Sequence, residues 1–391
     1  MNILFCYDKS FSRANGGIAT VSLNLIESLR GKGHKCFGVS VIKDKLQEDK
    51  DFYYLPNAST NLNDNENHVW FRKFVDEKNI DIIINQNGNS PKSIWPIEWS
   101  KDLPVGRVTV YHSGFFSLFQ CNDDRIINNT LVKVFRLRTF FNKLWLHLFR
   151  LKYGRWFHRQ IILSDSVVTL TPKYFPELQW FSRVKVDKRF KSIYNSIPYI
   201  YSSVVYNKEK EKEVLFVGRL SEEKRVDYLL EIWSKICYSH PDWRLTIVGD
   251  GLLRGKLEAL ANDLKLPRVY FEGYANPLDF YKRASIFCLT SSTEGFSLVL
   301  VESMSCGCVP IAFNSYACAS DIIDNDKCGL LIKPFDTDVY SHKLSLLMDD
   351  DKRRTVMSQN AKEKSSFFQM ENIVIKWERL FKEICQQTDR R

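Results

Sequence analysis

Short apolar runs alternate with amphipathic stretches along most of the chain. Runs such as 2–7 and 213–217 are typical of strands buried on both faces of a parallel sheet. Between such runs, apolar residues recur at helical spacing, as at Val21, Leu25 and Leu29 in the helix expected over 18–30. The stretch 46–67 is polar and is expected to be irregular. The pattern therefore predicts an α/β protein with two doubly wound domains.

The stretch 285–313 has the clearest organisation. An apolar run over 285–289 ends in small polar residues, Glu294 and Gly295 follow, and a short helix is expected over 297–304 before the next strand at 309–313. Ligands of such βαβ units bind at the carboxyl ends of the strands. Glu302 follows Glu294 by eight residues, or about two helical turns.

A carboxylate on each side of the start of this helix suits one kind of ligand. The free N–H groups around Phe296 to Val299 can bind a phosphate, and the two glutamates can bind hydroxyl groups on either side of it. A nucleotide sugar has that shape. The alternative interpretation of Glu294 and Glu302 is a surface glutamate and a solvated helix face.

Two cations follow the strand predicted over 213–217. Arg219 and Lys224 are five residues apart and overhang the carboxyl end of that strand, where they could neutralise a diphosphate leaving group. The alternative is a pair of surface salt bridges.

In the N-terminal half, Gly16 and Gly17 lie between the first strand and its helix, where glycine permits a close approach of the backbone to a phosphate. His112 follows another predicted strand, and its alternative is a hydrogen-bonded loop histidine.

Three runs of residues resemble a known family. The run 294–310, E-G-F-S-L-V-L-V-E-S-M-S-C-G-C-V-P, resembles the signature of retaining GT-B glycosyltransferases of the E-x7-E family, family four or glycosyl transferases group 1. The runs F-V-G-R-L-S-E-E-K-R at 216–225 and V-G-D-G at 248–251 are similar to further motifs of that family. The resemblance covers 213–335 well and the N-terminal half loosely. Ser297 and Arg225 stand where the family usually has glycine, and Ser303 where it has alanine.

This resemblance implies a GT-B fold, with two Rossmann-like doubly wound domains facing across a cleft. It implies an acceptor-binding domain at 1–196, completed by a C-terminal helix at 371–391, and a donor-binding domain at 197–370. It further implies retaining hexosyl transfer from a nucleotide sugar to a glycan or lipid-linked saccharide in cell-surface polysaccharide assembly, lipopolysaccharide among them, with neither metal nor cofactor. The run Asp324-Asn325-Asp326 looks like a metal-binding D-x-D motif, but is expected to be a turn.

The resemblance also assigns roles to individual residues. The expected catalytic residues are Glu294, His112, Arg219 and Lys224. The expected donor-binding residues are Gly16, Gly17, Arg219, Lys224, Gly273, Tyr274, Glu294, Gly295, Phe296, Ser297, Leu298, Val299 and Glu302.

Charge and cysteine content add information about partners and location. The net charge is +10, and residues 1–196 hold 29 Lys and Arg against 18 Asp and Glu, so the excess lies in the N-terminal half and predicts an anionic partner there. Ten scattered cysteines indicate a reducing cytosol. No stretch approaches 18 apolar residues, so no membrane span is expected.

One basic segment suggests what the anionic partner is. No acidic residue occurs over 126–164, where Lys and Arg interleave with Phe, Trp and Tyr. Basic amphipathic helices of this composition lie on anionic membranes. We therefore expect 131–159 to hold a cytoplasmic protein at the inner face of the cell membrane. The alternatives are a helix packed on its domain with a solvated basic face and a nucleic-acid site. Nucleic acid is not an expected partner, because it would leave the two glutamates unexplained.

Two other functions are compatible with this fold. A sugar-nucleotide epimerase would turn over the donor without an acceptor. A catalytically silent glycan- or membrane-binding protein would tolerate the loss of Arg219 and Lys224.

Overall fold

The computed structural model describes residues 1–44, 49–114, 132–202 and 209–388, and for 132–143 it describes the backbone alone. The chain divides into two compact units, unit 1 with Met1–Ser196 and Met370–Arg391, and unit 2 with Ile197–Gln369. Each unit is built around one parallel sheet with helices, which confirms the predicted fold class.

Seven parallel strands form the sheet of unit 1. They are β1 (Asn2–Tyr7), β2 (Lys35–Ser40), β3 (Phe52–Tyr54), β4 (Ile82–Asn85), β5 (Gly106–Tyr111), β6 (Ser166–Thr169) and β7 (Phe190–Ser192). Their order is β3-β2-β1-β4-β5-β6-β7. Among the described residues, the helices between them are α1 (Gly17–Gly31), α2 (Asn65–Glu77), α3 (Trp95–Trp99), α4 (Val132–Leu163) and α5 (Phe175–Ser182). All residues of β4 are buried, which accounts for its nearly continuous apolar sequence, I-I-I-N.

The prediction that 46–67 is irregular is wrong for two parts of it. The edge strand β3 pairs with β2, but its three residues are too short to show an alternating pattern. Helix α2 begins at Asn65 because the Asp64 carboxylate accepts a hydrogen bond from the N–H of Asn67 at 3.1 Å. The first turn of α2 is polar, so the spacing of apolar residues does not show where this helix begins. Residues 45–48 lie outside the described part of the chain.

Six parallel strands form the sheet of unit 2. They are β8 (Glu211–Val217), β9 (Arg244–Val248), β10 (Val269–Gly273), β11 (Ala284–Leu289), β12 (Val309–Phe313) and β13 (Leu330–Ile332). Their order is β10-β9-β8-β11-β12-β13. The helices are α6 (Tyr199–Ser202), α7 (Val226–Ser234), α8 (Arg254–Asp263), α9 (Leu278–Arg283), α10 (Leu298–Ser305), α11 (Ala319–Ile322), α12 (Thr337–Asp349) and α13 (Asp351–Ser365).

The last described helix, α14 (Met370–Thr388), returns to unit 1 after the whole of unit 2. Its apolar residues Ile373, Trp377 and Phe381 join the buried cluster around the sheet of unit 1. The packing is close, since a Cβ atom added at Gly106 on β5 would lie 2.4 Å from Cγ2 of Ile384. Helix α14 is thus a core element of unit 1.

Candidate functional site

The chain reverses its direction of winding in unit 2 between β8 and β11. Strand β8 pairs with β9 on one side and with β11 on the other, and this is the point at which ligands bind in open α/β sheets. The loop after β8 carries Arg219 and Lys224, and the loop after β11 carries Glu294. The topology therefore brings together three residues that are up to 75 positions apart in the sequence.

Lys224 and Glu294 form an ion pair at this point. Nζ of Lys224 lies 2.5 Å from Oε1 of Glu294, and the two side chains are 17% and 13% exposed. The hydroxyl of Ser291 donates a second hydrogen bond to the same Oε1 at 2.8 Å. Both charged groups are largely removed from water, so each depends on the other for compensation.

Hydrogen bonds fix the two loops to each other. The Thr290 hydroxyl donates to the carbonyl of Lys224 at 3.2 Å, and the N–H of Ser292 donates to the carbonyl of Glu223 at 2.8 Å. Ser315, after β12, donates from its hydroxyl to the carbonyl of Ser291 at 2.6 Å. The position of Lys224 relative to Glu294 is therefore set by the backbone as well as by the ion pair.

Arg225 has a conformation that explains why the family signature has glycine at this position. Its φ is 49°, in the left-handed region, and it caps the start of α7. Its guanidinium lies 3.7 Å from the centroid of the Tyr228 ring and hydrogen-bonds to Asp227, with Nη2 3.2 Å from Oδ2. These contacts hold an arginine where glycine would be free of strain.

Arg219 is exposed and has no ion pair or side-chain hydrogen bond with the described residues. The loop that carries it packs directly on the Gly249-Asp250-Gly251 turn. A Cβ atom at Gly249 would lie 1.9 Å from the carbonyl oxygen of Gly218, and one at Gly251 would lie 2.4 Å from that of Leu220. Only glycine fits at these two positions, so the backbone under Arg219 is fixed while its guanidinium is available to a ligand.

The start of α10 offers hydrogen-bond donors. The first N–H groups of a helix have no acceptor within it, and here they follow Ser297, the N-cap residue. The Ser297 hydroxyl is buried and has no partner among the described residues. Phe296 packs against Phe368, with ring centroids 5.5 Å apart. Gly295, Leu298 and Val299 complete this segment.

Glu302 lies on α10 beside Tyr281, whose hydroxyl donates to Oε2 at 3.2 Å. Burial raises the pKa of Glu302 to about 7, and the hydrogen bond from Tyr281 opposes this shift. Tyr281 is fully buried and was not predicted as a site residue, because it lies on the preceding helix α9, away from the motif. Ser291 was also missed, although it stands among the small polar residues at the end of β11.

Gly273 and Tyr274 lie at the end of β10. The carbonyl of Gly273 accepts a hydrogen bond from the N–H of Gly249 at 2.7 Å, and the φ of Gly273 is +70°. A Cβ atom there would lie 2.9 Å from Nη1 of Arg254. Tyr274 is 93% exposed. These two residues thus lie at the same, carboxyl-terminal end of the strands as the Lys224–Glu294 pair, two strands away from β8.

The remaining predicted site residues, Gly16, Gly17 and His112, lie in unit 1. Gly16 has a φ of +97° and precedes α1, where its carbonyl accepts from the N–H of Thr20 at 3.1 Å. His112 follows β5, and its Nε2–H donates to Oε1 of Gln86 at 2.7 Å. Burial lowers the pKa of His112 to about 4, so the ring is neutral near pH 7. Its Nδ1 is buried and lacks a hydrogen-bond partner among the described residues.

The aspartates of the D-x-D run are engaged with cations. Asp324 pairs with Lys364 at 3.0 Å and Asp326 with Arg353 at 3.1 Å. In the part of the chain that the structure describes, no cluster of three His, Cys, Asp or Glu side chains is placed to hold a metal ion. Within the same part, no helix has the length and apolar character needed to cross a membrane.

Comparison with known proteins agrees with the motifs. Residues 202–364 match the model of the family described as glycosyl transferases group 1. An uncharacterized glycosyltransferase of Haemophilus influenzae is 31% identical over 219 residues, which are 56% of this chain and 61% of the relative.

A second relative has a more specific name. The Campylobacter jejuni GalNAc-alpha-(1->4)-GalNAc-alpha-(1->3)-diNAcBac-PP-undecaprenol alpha-1,4-N-acetyl-D-galactosaminyltransferase is 30% identical over 177 residues, 45% of this chain and 49% of the relative. The chain thus spans less than two thirds of the length of these curated relatives.

Among solved structures, Anabaena HepE in complex with UDP superposes with a TM-score of 0.75 at 15% identity, covering 98% of this chain and all of HepE. This likeness concerns the fold, which is GT-B. Unit 2 is therefore similar to the glycosyl transferases group 1 family over 202–364, and the chain has the GT-B fold.

Proposed function

We propose that the protein is a retaining glycosyltransferase that moves a hexose from a nucleotide sugar to a glycan or lipid-linked saccharide in cell-surface polysaccharide assembly. The observation that carries the proposal is the Lys224–Glu294 ion pair at the switch point of unit 2, with Arg219 exposed beside it. The two cations suit a diphosphate, and the carboxylate suits the hydroxyls of a sugar. Unit 2 is the proposed donor-binding domain, and unit 1 the proposed acceptor-binding domain.

The proposed chemistry needs no metal ion. As the bond between the anomeric carbon and the diphosphate oxygen breaks, negative charge develops on the diphosphate. Arg219, Lys224 and the N–H groups at the start of α10 stabilise that charge. The acceptor hydroxyl forms its bond to the anomeric carbon on the same face, and its proton passes to the departing diphosphate. Glu294 orients the donor sugar and does not attack it.

Two further residues have proposed roles in binding. Glu302 accepts hydrogen bonds from the ribose of the nucleotide. His112, which is neutral because burial lowers its pKa to about 4, hydrogen-bonds to the sugar or the acceptor without adding charge. The lipid-linked acceptor is supported by the Campylobacter relative, whose name includes a PP-undecaprenol carrier. With such an acceptor, the protein would work at the inner face of the cell membrane.

A panel of nucleotide sugars tests this function. The full chain is heated with UDP-, GDP- and ADP-sugars, and the melting temperature is expected to rise with one nucleotide class. That donor is then incubated with lipid-linked acceptors in the presence of a chelator, and the anomeric configuration of the product is read by NMR. Transfer with retained configuration supports the proposal. A folded protein that no nucleotide stabilises contradicts it.

Ser291 is expected to position Glu294 during transfer. When Lys224 turns to the diphosphate, the Ser291 hydroxyl is the remaining hydrogen bond that holds the carboxylate in place. Ser291→Ala should lower kcat by roughly tenfold and leave the donor KM within about twofold. Ser291→Thr, which keeps the hydroxyl, should restore most of the rate.

The adjacent Ser292 provides the matched control for Ser291. It is similarly buried, and its hydroxyl donates to the carbonyl of Glu223 instead of to Glu294. Ser292→Ala should therefore leave kcat near the wild-type value. Equal losses of rate in the two alanine variants would show that Ser291 acts only through the stability of the loop.

Donor binding is expected to depend on pH through Glu302. Ribose hydroxyls donate to a carboxylate, so affinity should rise as Glu302 loses its proton near pH 7, by about tenfold between about pH 6 and pH 8. In the protein without donor, the effect of pH on folding stability has the opposite sign to its effect on donor affinity. The folded state binds this proton more tightly than the unfolded chain, so the stability contributed by Glu302 falls as the pH rises from 4.5 to about 7.

Two variants check this assignment by calorimetry with an intact nucleotide sugar, whose phosphates do not titrate in that range. Tyr281→Phe removes the hydroxyl that favours the carboxylate, and it should move the midpoint to higher pH. Glu302→Gln should abolish the dependence. If the pH dependence of donor affinity persists unchanged in Glu302→Gln, it arises from another titrating group.

A further inference from the structure

Helix α4 has an outward face that is apolar. Phe149, Tyr153, Phe157 and Ile161 pack toward α5 and the sheet of unit 1. On the opposite side, at helical spacing, lie Leu144, Leu148 and Leu151, which are 42%, 52% and 70% exposed. Trp145, 62% exposed, lies at the border of this face. We define Leu144, Leu148 and Leu151 as the leucine face.

The inward side of α4 is firmly attached, so the orientation of the leucine face is fixed. A Cβ atom at Gly154 would lie 2.9 Å from the carbonyl oxygen of Phe181, which brings α4 into close contact with α5. His158 hydrogen-bonds through Nδ1 to the carbonyl of Ser182 at 2.9 Å, and the guanidinium of Arg150 lies 4.6 Å from the Trp180 ring. Rotation of the helix to bury the three leucines would break these contacts.

Cationic side chains follow the leucines along the outward side of α4. Lys152 and Arg155 are exposed and form no ion pair with a described residue. Arg159, one turn further on, is paired with Glu98, with Nη2 2.6 Å from Oε1. No acidic residue occurs in the sequence of α4, so the charges that α4 itself contributes around the leucine face are all positive.

From this arrangement we infer that the leucine face, with Lys152 and Arg155, docks on an anionic lipid surface. The leucine side chains enter the boundary between headgroups and acyl chains, and the long cationic side chains reach the phosphates. A second copy of the chain fits less well, because an isologous contact would bring Lys152 and Arg155 of two copies together. Nucleic acid would account for the cations and leave the leucines in water.

This inference deepens the proposed function by naming its membrane-binding surface, and it rests on that function for its setting. It explains how an enzyme with a lipid-linked acceptor would hold unit 1 at the bilayer. The part of the expected segment before Leu144 does not enter the argument, since 131 and the side chains of 132–143 lie outside the described residues.

Vesicle flotation with the full chain tests the docking surface without donor or acceptor. The protein is expected to float with vesicles of phosphatidylcholine and phosphatidylglycerol. With vesicles of phosphatidylcholine alone, it should remain at the bottom of the gradient. Leu148→Ser combined with Leu151→Ser should weaken binding to the anionic vesicles at least tenfold. Lys152→Gln combined with Arg155→Gln should weaken it severalfold and reduce its dependence on salt.

A matched control is available on unit 2, where Leu252 and Leu346 are 101% and 42% exposed. Leu252→Ser combined with Leu346→Ser should bind vesicles as the wild type does. The inference is overturned if the wild type does not float, if the Leu148 and Leu151 variant floats equally well, or if single-stranded RNA binds more tightly than the vesicles. It is also overturned if size-exclusion chromatography shows a dimer that the same variant dissociates.

The nucleotide panel and the flotation assay test the two proposals independently of each other. Stabilisation by a nucleotide sugar without vesicle binding would leave the transferase proposal standing and remove the docking surface. Vesicle binding without any nucleotide effect would leave the docking surface standing and contradict the transferase proposal.

Discussion

Arg219→Ala combined with Lys224→Ala is expected to abolish the rise in melting temperature with the nucleotide sugar and to lower kcat by about 10,000-fold. The two cations lie at the carboxyl end of β8, where the diphosphate is proposed to bind. Removal of one group that stabilises developing charge typically costs a hundredfold to a thousandfold in rate, and here two such groups are lost. The measurements are thermal shift with the donor identified for the wild type, and single-turnover transfer.

The double variant should also be less stable without a ligand. Loss of Lys224 leaves Glu294, 13% exposed, with the Ser291 hydroxyl but without its ion-pair partner. A buried charge left without its partner costs about 3 kcal/mol, so the comparison needs a temperature at which the variant is folded.

Lys235→Ala combined with Arg353→Ala is the matched control for the two cations, because those residues form ion pairs with Asp338 and Asp326 elsewhere in unit 2. The control should keep both the donor effect and the rate. Undiminished stabilisation by the donor in the Arg219 and Lys224 variant would exclude their role.

Glu294→Gln is expected to separate binding from transfer. The amide keeps the shape of the side chain and an oxygen for Lys224, but the carboxylate that orients the sugar is lost. We expect kcat to fall by roughly a hundredfold to a thousandfold. Affinity for the nucleoside diphosphate should be kept or increased, because Lys224 no longer shares its charge with a carboxylate. Rapid-quench kinetics and calorimetry with the diphosphate measure the two effects.

A parallel change at Glu363 serves as the control for Glu294→Gln. Glu363 is a glutamate on α13, outside the loops after β8 and β11, so Glu363→Gln should change neither rate nor affinity. A Glu294→Gln variant that transfers at the wild-type rate would remove Glu294 from the proposed chemistry. A large fall in diphosphate affinity in that variant would contradict the view that the carboxylate weakens the hold of Lys224.

The sequence was sufficient for the fold class and for the residues of the motif. Strands buried on both faces, such as β4 and β11, are continuous apolar runs, and parallel strands of this kind imply the crossover helices between them. Glu294 lies in the loop before α10 and Glu302 on that helix, so one short stretch of sequence contains both and could be interpreted without knowledge of distant parts of the chain.

Contacts between distant segments could not be predicted in this way. The hydrogen bond from Tyr281 to Glu302 joins two helices, and the pKa of Glu302 depends on burial that no local pattern records. The left-handed conformation of Arg225 is stabilised by Asp227 and Tyr228, and a sequence shows only that glycine is missing there. The leucine face was expected as part of a basic aromatic segment, but which residues point outward depends on the packing of α4 against α5.

Helix α14 has a consequence for the order in which the chain matures on the ribosome. Unit 2 is one continuous segment, so it can fold as soon as it has left the exit tunnel. Unit 1 begins earlier but lacks Ile373, Trp377 and Phe381 until α14 has been synthesised. Its sheet must therefore wait, with an apolar face exposed, while the whole of unit 2 is translated. The half of the protein that is made first is thus the half that is finished last, and it is the half in which chaperone dependence should be greatest.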